Sequence, residues 1–317
     1  MKKRMISGFL AAMLVLSLAA CGTKDTKDQD AYRQYGITCL ESGNYDDAIK
    51  AFQNALDESI GHIGEKELDI CFYKAKAQYL NGKTKDALAT YDSILSYNKD
   101  ARAYYLRGDL YMDMGETKKG MADFKEAVSR GKKNYEIYIG IYESLSRHEK
   151  KEEGQKYLSA AMEIKGDKPE DELYKGRISY LLGENKDAVK YLKKAKENNQ
   201  QLASYYLGLA YEADGEDEKA KTCIDEYIKS GAATSYDLYD LGMAELEDGD
   251  YKNALTYFNS GLAMEQVPNK QNLMKSAISA YEYSGDFDSA KKMMKDYLKE
   301  YPDDEEAVRE NTFLETR

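Results

Sequence analysis

Apolar and polar residues follow a helical rhythm in this chain, and the rhythm itself recurs. The stretches GNYDDAIKAFQNAL (43–56), GDYKNALTYFNSGL (249–262) and GDFDSAKKMMKDYL (285–298) are versions of one unit. Its small residue falls at Ala48, Ala87, Gly120, Gly154, Ala188, Ala220, Ala254 and Ala290, with successive separations of 32 to 39 residues. A period of that size marks a stack of similar supersecondary units. Four residues after each marker stands Phe52, Tyr91, Phe124, Leu158, Leu192, Ile224, Phe258 or Met294, so a small and a large apolar side chain share one helix face. About twelve residues upstream lies a second amphipathic pattern, such as SYYLGLAYEADG, which carries Gly36, Gly108, Gly140, Gly176, Gly208 or Gly242 in six of the eight units. Glycine costs about 1 kcal/mol in a helix interior, so its return at one place predicts close helix contact. Between the two helices of a unit stands Gly43, Gly82, Gly115, Gly183, Gly215, Gly249 or Gly285, suited to a left-handed residue that ends the first helix. Each unit is therefore predicted to be a helical hairpin.

With these markers the chain resembles the tetratricopeptide repeat family over about residues 29–302. The resemblance implies an all-α fold: a right-handed superhelical solenoid of about eight hairpins over 31–302, with 303–317 as a polar C-terminal capping helix. Single units depart from the pattern. A longer connection, DESIGHIGEKEL, follows the first; the fourth has SRHEKKEEG in place of the glycine turn; the second and eighth lack the upstream glycine. A one-residue slip of helix phase is expected in the second.

The N-terminus has a different character. Lys2, Lys3 and Arg4 precede the uncharged run 5–20, which is the layout of a secretory signal peptide and too short for a spanning helix. Leu18-Ala19-Ala20-Cys21 resembles the lipobox of bacterial lipoproteins. That resemblance implies cleavage before Cys21 and lipidation of its sulfur, palmitate included, with 21–30 as a flexible tether to the extracytoplasmic face of the cell membrane. Removal of residues 1–20 lowers the formal net charge from −11 to −14. So acidic a surface repels nucleic acid and anionic headgroups, leaving attachment to the lipid and favouring a neutral or basic protein segment as partner. Cys39, Cys71 and Cys223 remain, an odd number without close pairs, and are expected as buried free thiols.

Candidate chemistry is sparse. Ala77 and Gly82-Lys83-Thr84 match a loose phosphate-loop spacing, but the pattern lies on a helix and turn instead of following a strand. His62 falls in the extended connection and His148 among Arg147, Glu149, Lys150 and Lys151, neither beside a nucleophile. No calcium-loop or zinc-ligand spacing occurs, so no catalytic residue, metal or cofactor is expected. The 29 tyrosines, against no tryptophan, mostly fall at packing positions. In the tetratricopeptide family, positions 2, 5, 9 and 12 of the first helix face the concave groove. Here they include Tyr105, Asp109, Tyr205, Leu209, Tyr236, Tyr239, Met243 and Leu246, an apolar and aromatic strip suited to an extended or helical peptide. The family's lysine–asparagine carboxylate clamp is missing, since the first unit offers Arg33 and Ile37. The sequence thus predicts a non-enzymatic, lipid-anchored scaffold, with a receptor for cell-wall peptides or saccharides as the alternative.

Overall fold

The computed structural model describes residues 24–59, 63–166 and 168–317. His62, Cys21 and the signal segment 1–20 lie outside them. The described chain divides into two compact units, 24–230 and 231–317. The first holds six hairpins: α1 (Lys24–Glu41) with α2 (Tyr45–Asp57), α3 (Glu65–Leu80) with α4 (Thr84–Tyr97), α5 (Ala101–Asp113) with α6 (Thr117–Arg130), α7 (Tyr135–Arg147) with α8 (Lys151–Met162), α9 (Pro169–Leu182) with α10 (Asn185–Glu197), and α11 (Leu202–Ala213) with α12 (Asp217–Lys229). The second holds α13 (Ser235–Asp248) with α14 (Tyr251–Leu262), α15 (Lys270–Ser284) with α16 (Phe287–Glu300), and the closing helix α17 (Glu305–Leu314). Among the described residues there is no strand, and no helix is long and apolar enough to cross a membrane.

The hairpins end alike because their turns do the same hydrogen bonding. All seven predicted turn glycines have φ between 71° and 81°. Around each, two backbone bonds close the first helix: Asn44 N donates to Cys39 O (2.8 Å) and Gly43 N to Leu40 O (3.2 Å), with the same pair at Lys83 and Gly82 and at Asp250 and Gly249. This is the glycine-terminated helix end that satisfies otherwise orphaned carbonyls. The fourth hairpin, which lacks the glycine, keeps the geometry: Lys150 N donates to Leu145 O (2.8 Å), and Glu149 takes the left-handed position at φ 59°. The apparent phosphate loop is one of these turns, with Lys83 Nζ 2.6 Å from Asp46 Oδ1.

The helices of a hairpin meet where one backbone lacks a side chain. A Cβ on Gly36, Gly108, Gly176, Gly208 or Gly242 would come within 2.4 to 2.8 Å of Phe52, Phe124, Leu192, Ile224 or Phe258, the large residue sixteen positions on. Those five large side chains are buried, at most 5% exposed. Gly140 does not belong to this set. In the fourth hairpin the place opposite the marker is held by Tyr142, whose Cδ2 lies 3.1 Å from a Cβ built on Gly154, while Leu158 four residues on stays fully buried in the same cluster. Gly140 instead makes room for Tyr105 of the preceding first helix, whose hydroxyl would lie 2.4 Å from its Cβ. The second hairpin does not slip: Ala75 takes the glycine's place, fully buried with Ala87 and Tyr91 in one core cluster. In the eighth, Ile278 packs with Ala290 and Met294.

The beginning of the described chain differs from expectation, and its end does not. The segment read as a tether is helical from Lys24, because Gln29 is buried and donates to Glu67 Oε1 (2.9 Å) while Lys66 pairs with Asp30 (2.7 Å). At the other end Asp304 caps α17, accepting from the backbone of Glu306 and Ala307 (both 3.1 Å), and Ala307 and Leu314 close the core around Met274 and Tyr297. Cys39 and Cys223 are buried free thiols, as expected, whereas Cys71 is only half-buried.

Glu149 supplies a test. An L-residue in the left-handed region costs roughly 1–2 kcal/mol, and the extra chain freedom of glycine cancels about half of the relief. Glu149→Gly is therefore expected to stabilise the protein by about 0.5–1 kcal/mol in urea denaturation, and an unchanged or lowered midpoint would contradict the turn assignment.

Candidate functional site: the first-helix face

The face that carries positions 2, 5, 9 and 12 of each first helix differs between the two compact units. In 24–230 polar contacts join the six first helices in order. Arg33 on α1 meets Asp69 on α3, with Nε and Nη2 at 2.8 and 2.6 Å from Oδ2. Tyr79 at the end of α3 donates to Asp113 Oδ2 on α5 (2.7 Å). On α7, Arg147 Nη2 donates to Asp109 Oδ1 (2.6 Å), and His148, capping the same helix, places Nε2 3.0 Å from Asp113 Oδ1. Arg177 on α9 reaches back to Glu136 Oε2 (3.2 Å) and Glu143 Oε1 (3.1 Å) on α7, while its guanidinium lies 5.5 Å from the ring centre of Tyr206 on α11.

Burial decides what these contacts are worth. Pairs in water contribute about 0–1 kcal/mol each. Arg177, 4% exposed, is another matter. Desolvation pushes the Glu143 carboxyl upward against the pull of Arg177, and pushes Asp109 upward against the pull of Arg147. Burial and the neighbouring Asp113 carboxylate raise the Tyr79 phenol to about 12. Asp109, Asp113 and His148 bring three ligand-type atoms within 4.8 Å of one another. Arg147 already occupies Asp109 and Tyr79 occupies Asp113, so this donor set acts as a junction of ion pairs between α3, α5 and α7.

The predicted groove residues separate accordingly. Tyr105 is half-buried over Gly140 and tilted against Phe124 at 6.4 Å, and Asp109 is paired. Tyr205 and Leu209, 4% and 6% exposed, are core and not a peptide-facing surface. The Tyr205 ring packs against Tyr206 of its own helix at 5.2 Å and Tyr227 of α12 at 5.4 Å, so this tyrosine is taken up in the packing of its own hairpin. His148, read as a solvated turn residue, is half-buried on Asp113. These partners were missed because they are 34 to 41 residues apart. Opposite charges one repeat period apart on the first-helix pattern were the available signal.

In 231–317 the remaining four form one row on α13. Tyr236 is 48% exposed, and Tyr239, Met243 and Leu246 are half-buried. Tyr239 leans on Phe258 at 6.2 Å, and Met243 Sδ accepts from Ser276 Oγ on α15 (3.4 Å). The helix carries Asp237, Asp240, Glu245, Glu247 and Asp248 and no basic residue. Burial and the charge of Asp237 push the Asp240 carboxyl up to about 7.

The buried Arg177 gives a measurable consequence. Arg177→Ala leaves Glu143 desolvated without its counter-charge, a loss of about 3–5 kcal/mol. Without the arginine the folded carboxyl rises further above its unfolded value of about 4.3. The deficit therefore grows as pH rises from that value through the folded pKa, so the variant is expected to lie nearer wild type at pH 5 than at pH 8. A loss independent of pH in thermal melts would show that packing, not charge, is what Arg177 supplies.

Comparison with known proteins agrees with this architecture in its repeats. Models of the tetratricopeptide repeat match residues 39–110, 101–133, 202–230 and 271–304. No curated protein sequence matches. Among solved structures, a tetratricopeptide repeat protein from Parabacteroides merdae is similar at 14% identity and a TM-score of 0.48, over 80% of this chain and 99% of that one. A chain of the APC/C hetero-tetramer Cut9-Hcn1 is similar at 15% identity and a TM-score of 0.44, over 92% of this chain and 57% of that one. PilW, a widely conserved type IV pilus biogenesis factor, is similar at 17% identity and a TM-score of 0.40, over 76% of this chain and 96% of its own. The chain carries tetratricopeptide repeats, arranged as consecutive packed hairpins in a fold that serves protein–protein interaction and is generally not catalytic.

Proposed function

We propose that the protein is a lipid-anchored, extracytoplasmic scaffold that holds a neutral or basic segment of another protein along its first-helix face, with α13 as the principal contact. The observation that carries the reading is the contrast along that face. In 24–230 Tyr205 and Leu209 are buried, whereas on α13 Tyr236 is 48% exposed and Met243 and Leu246 are half-buried, on a helix whose charged residues are all acidic. An exposed aromatic beside half-buried apolar side chains supplies contact area at low entropic cost. The anchor rests on Leu18-Ala19-Ala20-Cys21, where the uncharged 16-residue run 5–20 meets the cysteine, and two acyl chains suffice for stable attachment.

One fractionation and capture experiment tests both parts. Wild type is expected to incorporate labelled palmitate, sediment with membranes, and retain a protein partner on gentle solubilisation. Cys21→Ala is expected to lose the label and leave the membrane fraction. The Tyr236→Ala, Met243→Ala double variant is expected to stay anchored with wild-type helicity and lose the partner, since each anchor contributes roughly 2 kcal/mol, about thirtyfold in affinity. A processed Cys21→Ala chain that still sediments contradicts the anchor, and full partner recovery by the double variant contradicts the groove. Capture of glycan in place of protein would favour the receptor reading.

A further inference from the structure

Asp240 departs from a pairing that recurs on the first helices of the 24–230 unit. In the 24–230 unit, Asp69, Asp109, Asp113, Glu136 and Glu143 each meet a cationic or ring-nitrogen group from a neighbouring first-helix region: Arg33, Arg147, His148 or Arg177. Those partners lie 34 to 41 residues away in sequence. Asp240 is half-buried and has no hydrogen bond or ion pair among the described residues. A cation does occur at the matching separation, because Lys275 on α15 lies 35 residues on. Its ammonium is committed to the closing helix instead, 3.3 Å from Asp304 Oδ2 and 3.0 Å from Glu306 Oε2. The capping helix thus holds the group that the repeat pattern would have offered to Asp240.

What surrounds Asp240 defines the missing partner. Tyr236, four residues before, and Met243, three after, share its side of α13, since residues three and four apart are neighbours on a helix. Among the described residues the charge bearing on Asp240 is that of Asp237, which repels a second negative charge. A half-buried carboxylate costs free energy unless it is paired, and this one lies between an exposed tyrosine ring and a half-buried thioether.

We propose that Asp240 is the recognition point for a lysine or arginine in the partner segment, with Tyr236 and Met243 taking apolar side chains on either side of that cation. This rests on the groove reading above and deepens it from a neutral or basic segment to one basic residue flanked by apolar ones. An ammonium or guanidinium at Asp240 forms a charge-assisted hydrogen bond that is stronger than a neutral one. Its stem lies along the tyrosine ring, and an acidic segment is excluded by both Asp237 and Asp240.

The test uses the mature chain and a fluorescein-labelled peptide of four leucine-alanine-lysine repeats, with a second peptide carrying glutamine for each lysine. Fluorescence anisotropy is read at 0.15 M salt, where the Debye length of about 8 Å screens diffuse attraction to the acidic surface. Wild type is expected to prefer the lysine peptide at least tenfold. Asp240→Asn is expected to abolish the preference. Glu265→Gln, which removes the same charge from an exposed position, is expected to keep it. Circular dichroism checks that both variants are folded. Wild type binding both peptides alike, or neither, overturns the proposal, as does equal loss in the two variants or survival of the preference in Asp240→Asn. If Asp240→Asn keeps the preference while Tyr236→Ala and Met243→Ala lose binding, the groove stands and the cation site falls. If Tyr236→Ala and Met243→Ala bind as wild type, the groove falls with it.

Discussion

Everything else in these hairpins depends on how closely two helices approach where one of them has no side chain. In five of the eight, a Cβ on the first helix would fall within 2.8 Å of a large residue on the second. Glycine inside a helix costs about 1 kcal/mol, while full burial of a phenylalanine or leucine contributes about 1.5–3 kcal/mol. The seat is therefore favourable each time it is used. It also fixes rotation, because only one face of the first helix can then meet the second. The opposite flank is left for the neighbouring hairpin, and the positions between the two form the first-helix face.

The fourth hairpin shows that the packing does not require glycine on the first helix. Tyr142 stands there against the marker Gly154 with Leu158 still buried, and the turn survives on Glu149. Gly140 is thereby released for another close approach, accepting the Tyr105 hydroxyl from the preceding first helix. Where first helices close on each other in this way, their polar side chains pair across one repeat and Tyr105 is half-buried. On α13 the row stays partly exposed beside the unpaired carboxylate of Asp240. Function on this reading is what repeat packing leaves over.

Much of this was legible in the sequence, for a physical reason. A requirement imposed eight times leaves a periodic trace, so the marker residues, the turn glycines and the closing helix can all be read from spacing. The misreadings fall where one unit meets that requirement differently. Gly140 looked like the fourth packing glycine because glycine identity was visible and its partner was not. The slip expected in the second hairpin does not occur, because Ala75 is small enough to do the same work. The tether reading of 21–30 did not anticipate that Gln29 would find Glu67, 38 residues away. The groove was half legible. Helix periodicity placed Tyr205 and Tyr239 at equivalent positions, yet one is buried and the other half-buried, because exposure depends on how the surrounding side chains pack, which a single-unit pattern does not encode.

Glycine and its large partner act as one seat. A double-mutant cycle in the seventh hairpin tests it, where a Cβ on Gly242 would lie 2.4 Å from Phe258 Cε1. Gly242→Ala alone should lose about 1–3 kcal/mol to overpacking despite its better helix propensity, and Phe258→Leu alone should lose a smaller amount. If the seat is real, urea denaturation of the pair will show the double variant more stable than the sum of the single losses by about 1 kcal/mol or more. Strict additivity would mean that the two residues do not share a contact, and the packing argument built on them would fail.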